Sequence, residues 1–217
     1  MSEVDLLDRY PRTTRDIAAR AAAVPAQRDV AMRFAREYFD GDRGQGYGGY
    51  RYDGRWVPVA ERIRDHYRLE AGARILDIGC AKGFLLHDLR RVVPGLLVSG
   101  LDISSYALAS AMEDVRPGLV LGSADRLPFA DKSFDLVVSI NTVHNLDRAG
   151  CIRALGEMER VGCLHRYVQV DSWLNELQRE KFERWQLTAR TYSDPEGWRR
   201  LFAEAGYHGD YYWTVTE

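Results

Sequence analysis

The stretch "ILDIGCAKGF", residues 75–84, decides the fold of this 217-residue chain. Its run of branched apolar residues predicts a buried strand, and the strand delivers Asp77 into a tight turn. The turn contains three small residues, Gly79, Ala81 and Gly83. Small residues let backbone N–H groups and the start of the next helix approach a ligand closely. They equally let that helix pack tightly on the strand, so the turn alone leaves both interpretations open.

Strand-like and helical segments alternate on both sides of this stretch. The strand patterns are "RILDI" (74–78), "LLVSGLD" (96–102), "LVLG" (119–122), "FDLVVSI" (134–140), "RYVQVDS" (166–172) and "DYYWTVT" (210–216). The helical patterns lie between them, at 57–69, 84–93, 105–113, 148–160 and 193–206. Several strands are continuously apolar, which is typical of a parallel sheet covered by helices on both faces. The sequence therefore predicts a doubly wound α/β domain over residues 57–217.

Residues 1–56 form a segment of different character. Apolar residues at helical spacing predict a helix over 27–39. A loop follows at 41–56, where six glycines alternate with aromatic residues. Glycines give a loop mobility, so we expect this segment to be a helical and loop lid over a binding site.

Composition excludes several function classes. The net charge of -2 gives no strong field toward nucleic acid or an anionic membrane. The three cysteines are widely spaced and lack the ligand spacing of a zinc site, so neither a disulfide framework nor a metal is expected. The N-terminal residues lack the pattern of a signal peptide, and no apolar run reaches the roughly 18 residues of a membrane span. We therefore expect a cytoplasmic protein.

Polar residues follow three further strands of the predicted sheet. Asp102 closes the second strand, where a carboxylate can accept hydrogen bonds from both hydroxyls of a ribose. It can also cap the next helix. Asp125 follows the third strand and can accept from an amine of adenine or form a simple Asx turn. The fourth strand turns polar at residues 139–145. Burying polar side chains at the end of a central strand costs free energy unless they bind a ligand.

Read in order, these motifs resemble those of the class I S-adenosylmethionine-dependent methyltransferases. "ILDIGCAKGF" looks like their first motif, "LDIS" their acidic second-strand end, "GSADRLPF" their adenine loop and "FDLVVSINTVHNL" their fourth motif. The resemblance covers residues 57–217 and implies a Rossmann-like, mostly parallel sheet of seven strands with an antiparallel last pair. The implied cofactor is S-adenosyl-L-methionine, with S-adenosyl-L-homocysteine as product.

The resemblance also implies which residues bind the cofactor. The set is Asp77, Gly79, Ala81 and Gly83 at its amino-acid end, Asp102 and Ile103 at the ribose and adenine, Ala124 and Asp125 at the adenine edge, and Asn141 near the sulfonium. Two departures from the family pattern concern the C-terminal part. The turn before the fifth strand has only Gly162, and one of the last two strands must come from elsewhere, for which we take "QLTARTY" (186–192).

Three alternatives stay open. A Rossmann dehydrogenase shares the acid that follows a glycine turn, but the turn here is an incomplete GxGxxG and carries an aspartate that a pyrophosphate would disfavour. A regulatory or scaffold protein would bind the cofactor without turnover. A nucleic-acid methyltransferase usually has an Asn/Asp-Pro-Pro-aromatic sequence after the fourth strand, whereas this chain has "INTVHN".

We therefore expect methyl transfer to an O or N atom of a small, acidic metabolite, of natural-product or sugar-derived type. Nucleic acid and membranes are not expected partners, and the oligomeric state, a homodimer included, is left open. His144 is the candidate general base because imidazole titrates near neutral pH. The alternative is that His144 only orients the substrate or satisfies a buried carbonyl group.

The lid supplies the candidate substrate residues. They are Tyr47, Tyr50, Tyr52 and Trp56 for stacking, and Arg51 and Arg55 for an anionic group, with Arg12, Arg15 and Arg43 as further cations. The alternative is a surface loop whose tyrosines pack back on the core. Asp171, Trp173 and Trp185 follow near the end of the fifth strand.

Overall fold

The computed structural model describes residues 1–11 and 16–216, and the side chains of 23–25 are not among those described. Its strands are β1 (Arg74–Ile78), β2 (Leu97–Asp102), β3 (Leu119–Leu121), β4 (Phe134–Ile140), β5 (Gly162–Ser172) and β6 (Asp210–Val215). Its helices are α1 (Ile17–Ala31), α2 (Arg36–Asp40), α3 (Val57–Tyr67), α4 (Phe84–Val92), α5 (Ser105–Ala109), α6 (Arg148–Val161), α7 (Glu176–Trp185) and α8 (Pro195–Glu204).

The strands form one sheet in the order β3-β2-β1-β4-β5-β6, and every neighbouring pair is parallel. The order reverses between β1 and β4, which is where ligands bind in open α/β sheets. Successive residues of β1 enter opposite cores, because side chains alternate across a strand. Ile75 packs with α3 and α4, whereas Leu76 and Ile78 pack with α6 and α8. The doubly wound α/β prediction is confirmed.

The described residues form six strands, so the prediction of seven strands with an antiparallel last pair was wrong. Helices α7 and α8 lie between β5 and β6 and carry the chain back to the same end of the sheet, which makes the pair parallel. Beyond β6, the described chain offers only a single bridge from Glu3 to Tyr211. The backbone of residues 2–4 therefore covers the edge that a seventh strand would occupy.

Residues 186–192, predicted as a strand, are irregular. Their hydrogen bonds go to the turn after β4: the N–H groups of Arg190 and Thr191 both donate to the carbonyl of His144, each at 3.0 Å. The Thr191 hydroxyl donates to the carbonyl of Leu146 at 2.9 Å. These two backbone donors are used on a turn and are therefore not available for a strand ladder.

The lid helix predicted over 27–39 is two helices, α1 and α2, separated by residues 32–35. Phe34 has φ 47°, a left-handed conformation that ends α1, and its carbonyl accepts a hydrogen bond from the Ser104 hydroxyl. The break turns the residues around Phe34 toward the sheet. Helix α7 was not predicted; it begins after Asn175, whose side chain accepts from the Gln178 N–H at 3.0 Å.

Candidate active site

A cavity of 320 Å³ lies at the carboxyl ends of β1, β2, β3 and β4, below the lid. This volume falls at the lower end of the range for small-molecule sites, about 300 to 1,000 Å³. The sheet side contributes Gly79, Ala81, Asp102, Ile103, Ala124 and Asn141. All six belong to the predicted cofactor set. The structure thus brings six of the nine predicted cofactor residues into one wall.

Backbone geometry explains why the turn after β1 needs small residues. Gly79 has φ 82°, and a Cβ at this position would lie 1.9 Å from Oγ1 of Thr142. Gly83 has φ 72°, and a Cβ there would lie 2.7 Å from Cγ2 of Val115. The Gly79 N–H donates to the carbonyl of Leu101 at 2.7 Å, which ties the turn to β2. A larger residue at Gly79 would therefore push the turn and the cavity wall apart.

Two buried carboxyl groups stand at this turn. Asp102 accepts from the N–H of Ala81 and from the N–H of Ser104, each at 2.8 Å, and burial raises its pKa despite these bonds. Burial, and then the charge of Asp102, raise the pKa of Asp77 to about 7. The lysine of the turn does not offset them, because Lys82 donates to Asp40 and to the carbonyl of Tyr50. The turn therefore holds acidic groups that a cation or hydroxyl donors would stabilise.

Three predicted cofactor residues lie outside the cavity wall. Asp77 is 5% exposed and stands behind the turn. Gly83 is the N-cap of α4. The Asp125 carboxylate accepts from Ser123 at 2.6 Å and from Arg153 at 2.8 Å, and these two partners lower its pKa. The adenine contact of Asp125 stays a prediction, and it would require a carboxylate already held by Arg153.

Asn141 is held in an unusual backbone conformation at the end of β4. Its φ of 53° is left-handed, which asparagine tolerates better than most residues. The hydroxyl of Thr214, on β6, donates to Oδ1 of Asn141 at 2.8 Å and accepts from the amide of Gln169 at 2.9 Å. Since Oδ1 is occupied, the N–H groups of the Asn141 amide are what remain for a ligand in the cavity.

His144 is 3% exposed and is not part of the cavity wall. The N–H of Asp171 donates to Nδ1 at 3.2 Å, and the Asp171 carboxylate lies 3.4 Å from Nε2. Burial lowers the pKa of His144, and the Asp171 charge only opposes this. The neutral ring thus carries its proton on Nε2 and uses its lone pair on a backbone N–H. This geometry favours the alternative to general base catalysis, in which His144 only orients the substrate or satisfies a buried group, and the choice between the two roles stays a prediction.

Of the six substrate residues predicted in the lid, Tyr47 lines the cavity. The other five lie elsewhere. The ring of Tyr50 stacks on Phe84 with centroids 4.7 Å apart, and the ring of Trp56 packs on Tyr10 at the same distance. The Tyr52 hydroxyl donates to Asp88 at 2.6 Å, Arg55 forms an ion pair with Asp53 at 2.5 Å, and Arg51 is exposed. The structure gives the three aromatic residues the packing role that the sequence left open. Arg12 and Arg15 lie outside the described residues, and Arg43 donates to the carbonyl of Tyr47 at 2.7 Å.

The lid is fastened to the glycine turn by a partly buried ion pair. Nζ of Lys82 donates to both oxygens of Asp40, at 2.8 and 2.6 Å, and the Tyr106 hydroxyl donates to the same carboxylate at 2.6 Å. Burial opposes the charge of Asp40, but the bonds from Lys82 and Tyr106 lower its pKa below the usual value. We call these three side chains the lid latch. It holds α2 against the turn after β1 and against α5.

Sequence reasoning missed several residues of the cavity wall. They are Met32, Arg33, Phe34, Tyr38 and Phe39 from the lid, Thr142, Asn145 and Leu146 after β4, and Arg190 after α7. The lid residues follow from the break between α1 and α2, which no local pattern shows. The "NTVHNL" motif (141–146) did point to this turn, but only Asn141 and His144 were singled out from it.

A second, outer cleft of 490 Å³ lies beside this site. It is lined by residues of the 190–193 segment, α6 and α8, among them Arg148, Tyr192, Arg200 and Glu204. Arg190 lines both the cavity and the outer cleft.

Comparison with known proteins places this geometry in a family. Residues 76–181 match the family described as a methyltransferase domain. The chain is 36% identical over 93 residues to demethylmenaquinone methyltransferase of Roseiflexus sp. (strain RS-1), a match that covers 41% of this chain and 39% of that protein. It is 36% identical over 110 residues to malonyl-[acyl-carrier protein] O-methyltransferase of Legionella pneumophila, covering 48% and 38%. The chain therefore spans less than half the length of these curated relatives.

Solved structures agree on the fold. The YcgJ protein of Bacillus subtilis superposes with a TM-score of 0.54 at 20% identity, covering 67% of this chain and 66% of that one. A methyltransferase structure from Bacillus halodurans C-125 gives a TM-score of 0.56 at 17% identity, covering 68% of each chain. None of the helices that the structure describes is long and apolar enough to cross a membrane. Together with the parallel sheet and the glycine turn, these matches confirm that residues 76–181 are similar to the methyltransferase domain of the class I S-adenosylmethionine-dependent methyltransferases.

Proposed function

We propose that the chain transfers a methyl group from S-adenosylmethionine to an oxygen or nitrogen atom of a small, acidic acceptor. The observation that carries this proposal is the buried carboxyl group of Asp102 in the wall of a 320 Å³ cavity, with a second buried carboxyl group, that of Asp77, behind the same glycine turn. Lys82, in the same turn, is committed to the lid latch. A ligand with hydroxyl groups and a positive charge would give these acids hydrogen-bond donors and a compensating charge.

The cavity residues fit an adenosyl ligand in detail. Asp102 accepts backbone N–H groups of Ala81 at Oδ2 and of Ser104 at Oδ1, and a carboxylate with about four lone pairs keeps acceptor capacity for the hydroxyls of a ribose. Ile103 and Ala124 give apolar surface for an adenine ring. Asp77 would ionise beside a bound ammonium group, because an opposite charge favours the charged form of an acid.

S-adenosylmethionine, when bound, supplies an electrophilic methyl group on a sulfonium ion. The task of this chain is to orient an acceptor in line with that carbon and to exclude water. The lid covers the cavity with Phe34, Tyr38 and Tyr47, and aromatic faces attract a positive charge. His144 contributes by position: its carbonyl holds the segment that carries Arg190.

A small acceptor is favoured over a nucleic acid. The net charge of -2 offers no broad basic surface for a phosphate backbone, and the turn after β4 has no aromatic residue on which a flipped base would stack. The cavity also suits one compact ligand at a time. A nucleic-acid or protein acceptor is an outcome that the acceptor screen below would reveal.

Calorimetry with S-adenosylhomocysteine tests the cofactor site. We expect Asp102→Ala to weaken binding by about 1 to 3 kcal/mol, since it leaves two ribose hydroxyls without their acceptor. Asp65→Ala is the matched control, and we expect affinity within threefold of wild type because Asp65 is exposed on α3 and lies outside the cavity wall. Unchanged affinity in Asp102→Ala, or no binding by the wild type, would contradict the assigned site.

Turnover needs a separate experiment. Purified protein is incubated with S-adenosylmethionine carrying a tritiated methyl group and with panels of acidic metabolites, sugar nucleotides, RNA and protein extracts. Label transferred to a small acid supports the proposal. Tight cofactor binding without label on any acceptor would instead favour a regulatory or scaffold protein.

A further inference from the structure

The cavity and the outer cleft meet at one arginine. Among the residues that the structure describes, Arg190 is the side chain common to both linings. The cavity, at 320 Å³, has room for one ligand of modest size, and the cofactor would take most of it. The outer cleft, at 490 Å³, is where the body of an acceptor can lie. A group of that acceptor that reaches the cavity has to pass Arg190.

The backbone of Arg190 is held by hydrogen bonds, whereas its guanidinium group is half exposed. Its N–H and that of Thr191 donate to the carbonyl of His144, and the Thr191 hydroxyl is bonded to Leu146. The guanidinium is half exposed, and its nearest carboxylate, that of Asp147, is 3.7 Å away. By contrast, Arg148 in the outer cleft donates to both carboxylate oxygens of Glu204. Arg190 is thus the cleft arginine whose fork is best placed to take up a new anion.

We propose that Arg190 is the specificity-determining residue for the acceptor, and that it binds a carboxylate of an acceptor lying in the outer cleft. This inference rests on the proposed function. Arginine offers two parallel N–H donors to a carboxylate, which fixes the direction of the carboxylate as well as its position. A carboxylate bound in this way keeps one lone pair on each oxygen directed away from the guanidinium and available for a further bond.

A carboxylate also suits the chemistry of this site. The oxygen lone pair forms the new bond to the methyl carbon, the carbon–sulfur bond breaks, and its electron pair stays on sulfur. The products are a methyl ester and a neutral thioether, and no proton has to leave the acceptor. His144, whose lone pair is used on the N–H of Asp171, is then not required as a base.

The test uses protein saturated with S-adenosylhomocysteine, so that the cavity is filled. Benzoate, salicylate and malonate are compared with their amides by saturation-transfer NMR, in wild type, Arg190→Met, Arg190→Lys and Arg51→Met. Arg51 is exposed and outside both cavities, which makes it the matched control. Affinity for S-adenosylhomocysteine itself is measured by calorimetry in each variant.

We expect at least one acid to bind wild type and Arg51→Met at least tenfold more tightly than its amide. Arg190→Met should abolish this preference, Arg190→Lys should keep part of it, and cofactor affinity should stay within threefold. Failure of every acid to bind, or equal binding of acid and amide, overturns the proposal. A tenfold loss of S-adenosylhomocysteine affinity in Arg190→Met also overturns it, because Arg190 would then hold the cofactor's own carboxylate.

These outcomes are separable from failure of the proposed function. If acids bind in a way that depends on Arg190 but no methyl transfer is detected, the proposed acceptor site stands and the proposed methyltransferase activity fails. Where an acceptor is methylated, Arg190→Met should raise its KM at least tenfold and change kcat less.

Discussion

Gly79→Ala is the substitution whose cost the structure defines most closely. Alanine at φ 82° would adopt a left-handed conformation, which costs an L-residue about 1 to 2 kcal/mol. Its Cβ would also lie 1.9 Å from Oγ1 and 2.5 Å from Cγ2 of Thr142. Overpacking of this kind costs about 1 to 3 kcal/mol. We expect a total loss of about 2 to 5 kcal/mol in the free energy of unfolding.

Two further glycines separate the two contributions. Gly206 has φ 65°, and a Cβ added there would meet no atom within 4 Å, so Gly206→Ala should cost the conformational part alone, about 1 to 2 kcal/mol. Gly156 lies inside α6 with open space around it, so Gly156→Ala should stabilise the protein by about 0.5 to 1 kcal/mol.

Urea denaturation of these variants provides the measurement. Adding Thr142→Ala to Gly79→Ala removes the two nearest colliding atoms and leaves Cβ of Thr142 at 2.7 Å. The double mutant should therefore recover part of the overpacking cost, about 1 to 2 kcal/mol, relative to the sum of the single effects. The reasoning fails if Gly79→Ala costs no more than Gly206→Ala. It also fails if the two substitutions at positions 79 and 142 are additive.

Three other predictions concern charged groups. Because the pKa of Asp77 is raised to about 7, the folded state keeps a proton that the unfolded chain loses near pH 4. Stability therefore falls as pH rises from about 4 to 7, and Asp77→Asn should flatten this fall in urea denaturation of the cofactor-free protein; equal slopes would refute it. His144→Gln should lower the free energy of unfolding by about 1 to 2 kcal/mol, because the substitution removes buried hydrogen bonds. We expect kcat to fall less than tenfold. A loss of a hundredfold or more in kcat would support the general base role instead. Lys82→Met should cost about 2 to 3 kcal/mol, less than a fully buried pair because the Asp40 side chain is 22% exposed. The exposed pair of Arg200 gives the control, since Arg200→Met should cost no more than about 0.5 kcal/mol; similar losses in both variants would show that the latch is not special.

The strands that form the floor of the cavity were the most predictable elements. Strands β1 and β4 begin and end at the residues that the sequence indicated, 74–78 and 134–140, because a continuous apolar run is bounded by polar or glycine residues at each end. The same local signals placed Gly79, Asp102 and Asn141 at one edge of a parallel sheet. Their meeting in one wall follows from topology alone.

The lid and the acceptor side were not predictable in the same way. At the break, the carbonyl of Phe34 accepts a hydrogen bond from Ser104, which is 70 residues away in the chain. Arg190 reaches the cavity only because His144 holds its backbone. The antiparallel last pair was an expectation of the family resemblance. In the structure, α7 and α8 connect β5 to β6 and the two strands are parallel. Contacts between distant residues leave no periodic trace in sequence, so the sequence did not indicate that Arg190 lines the cavity.

The hydrogen-bond chain from Gln169 through Thr214 to Asn141 links ligand binding to the margin of the sheet. Edge strands fray more readily than central ones, since fewer neighbours hold them. Each time β6 detaches, Asn141 loses the hydroxyl that orients its amide. By reciprocity, occupancy of the cavity should suppress this fraying and slow amide hydrogen exchange along residues 210–215. The rate of amide hydrogen exchange in β6, at the edge of the sheet, would thus report whether a ligand occupies the cavity.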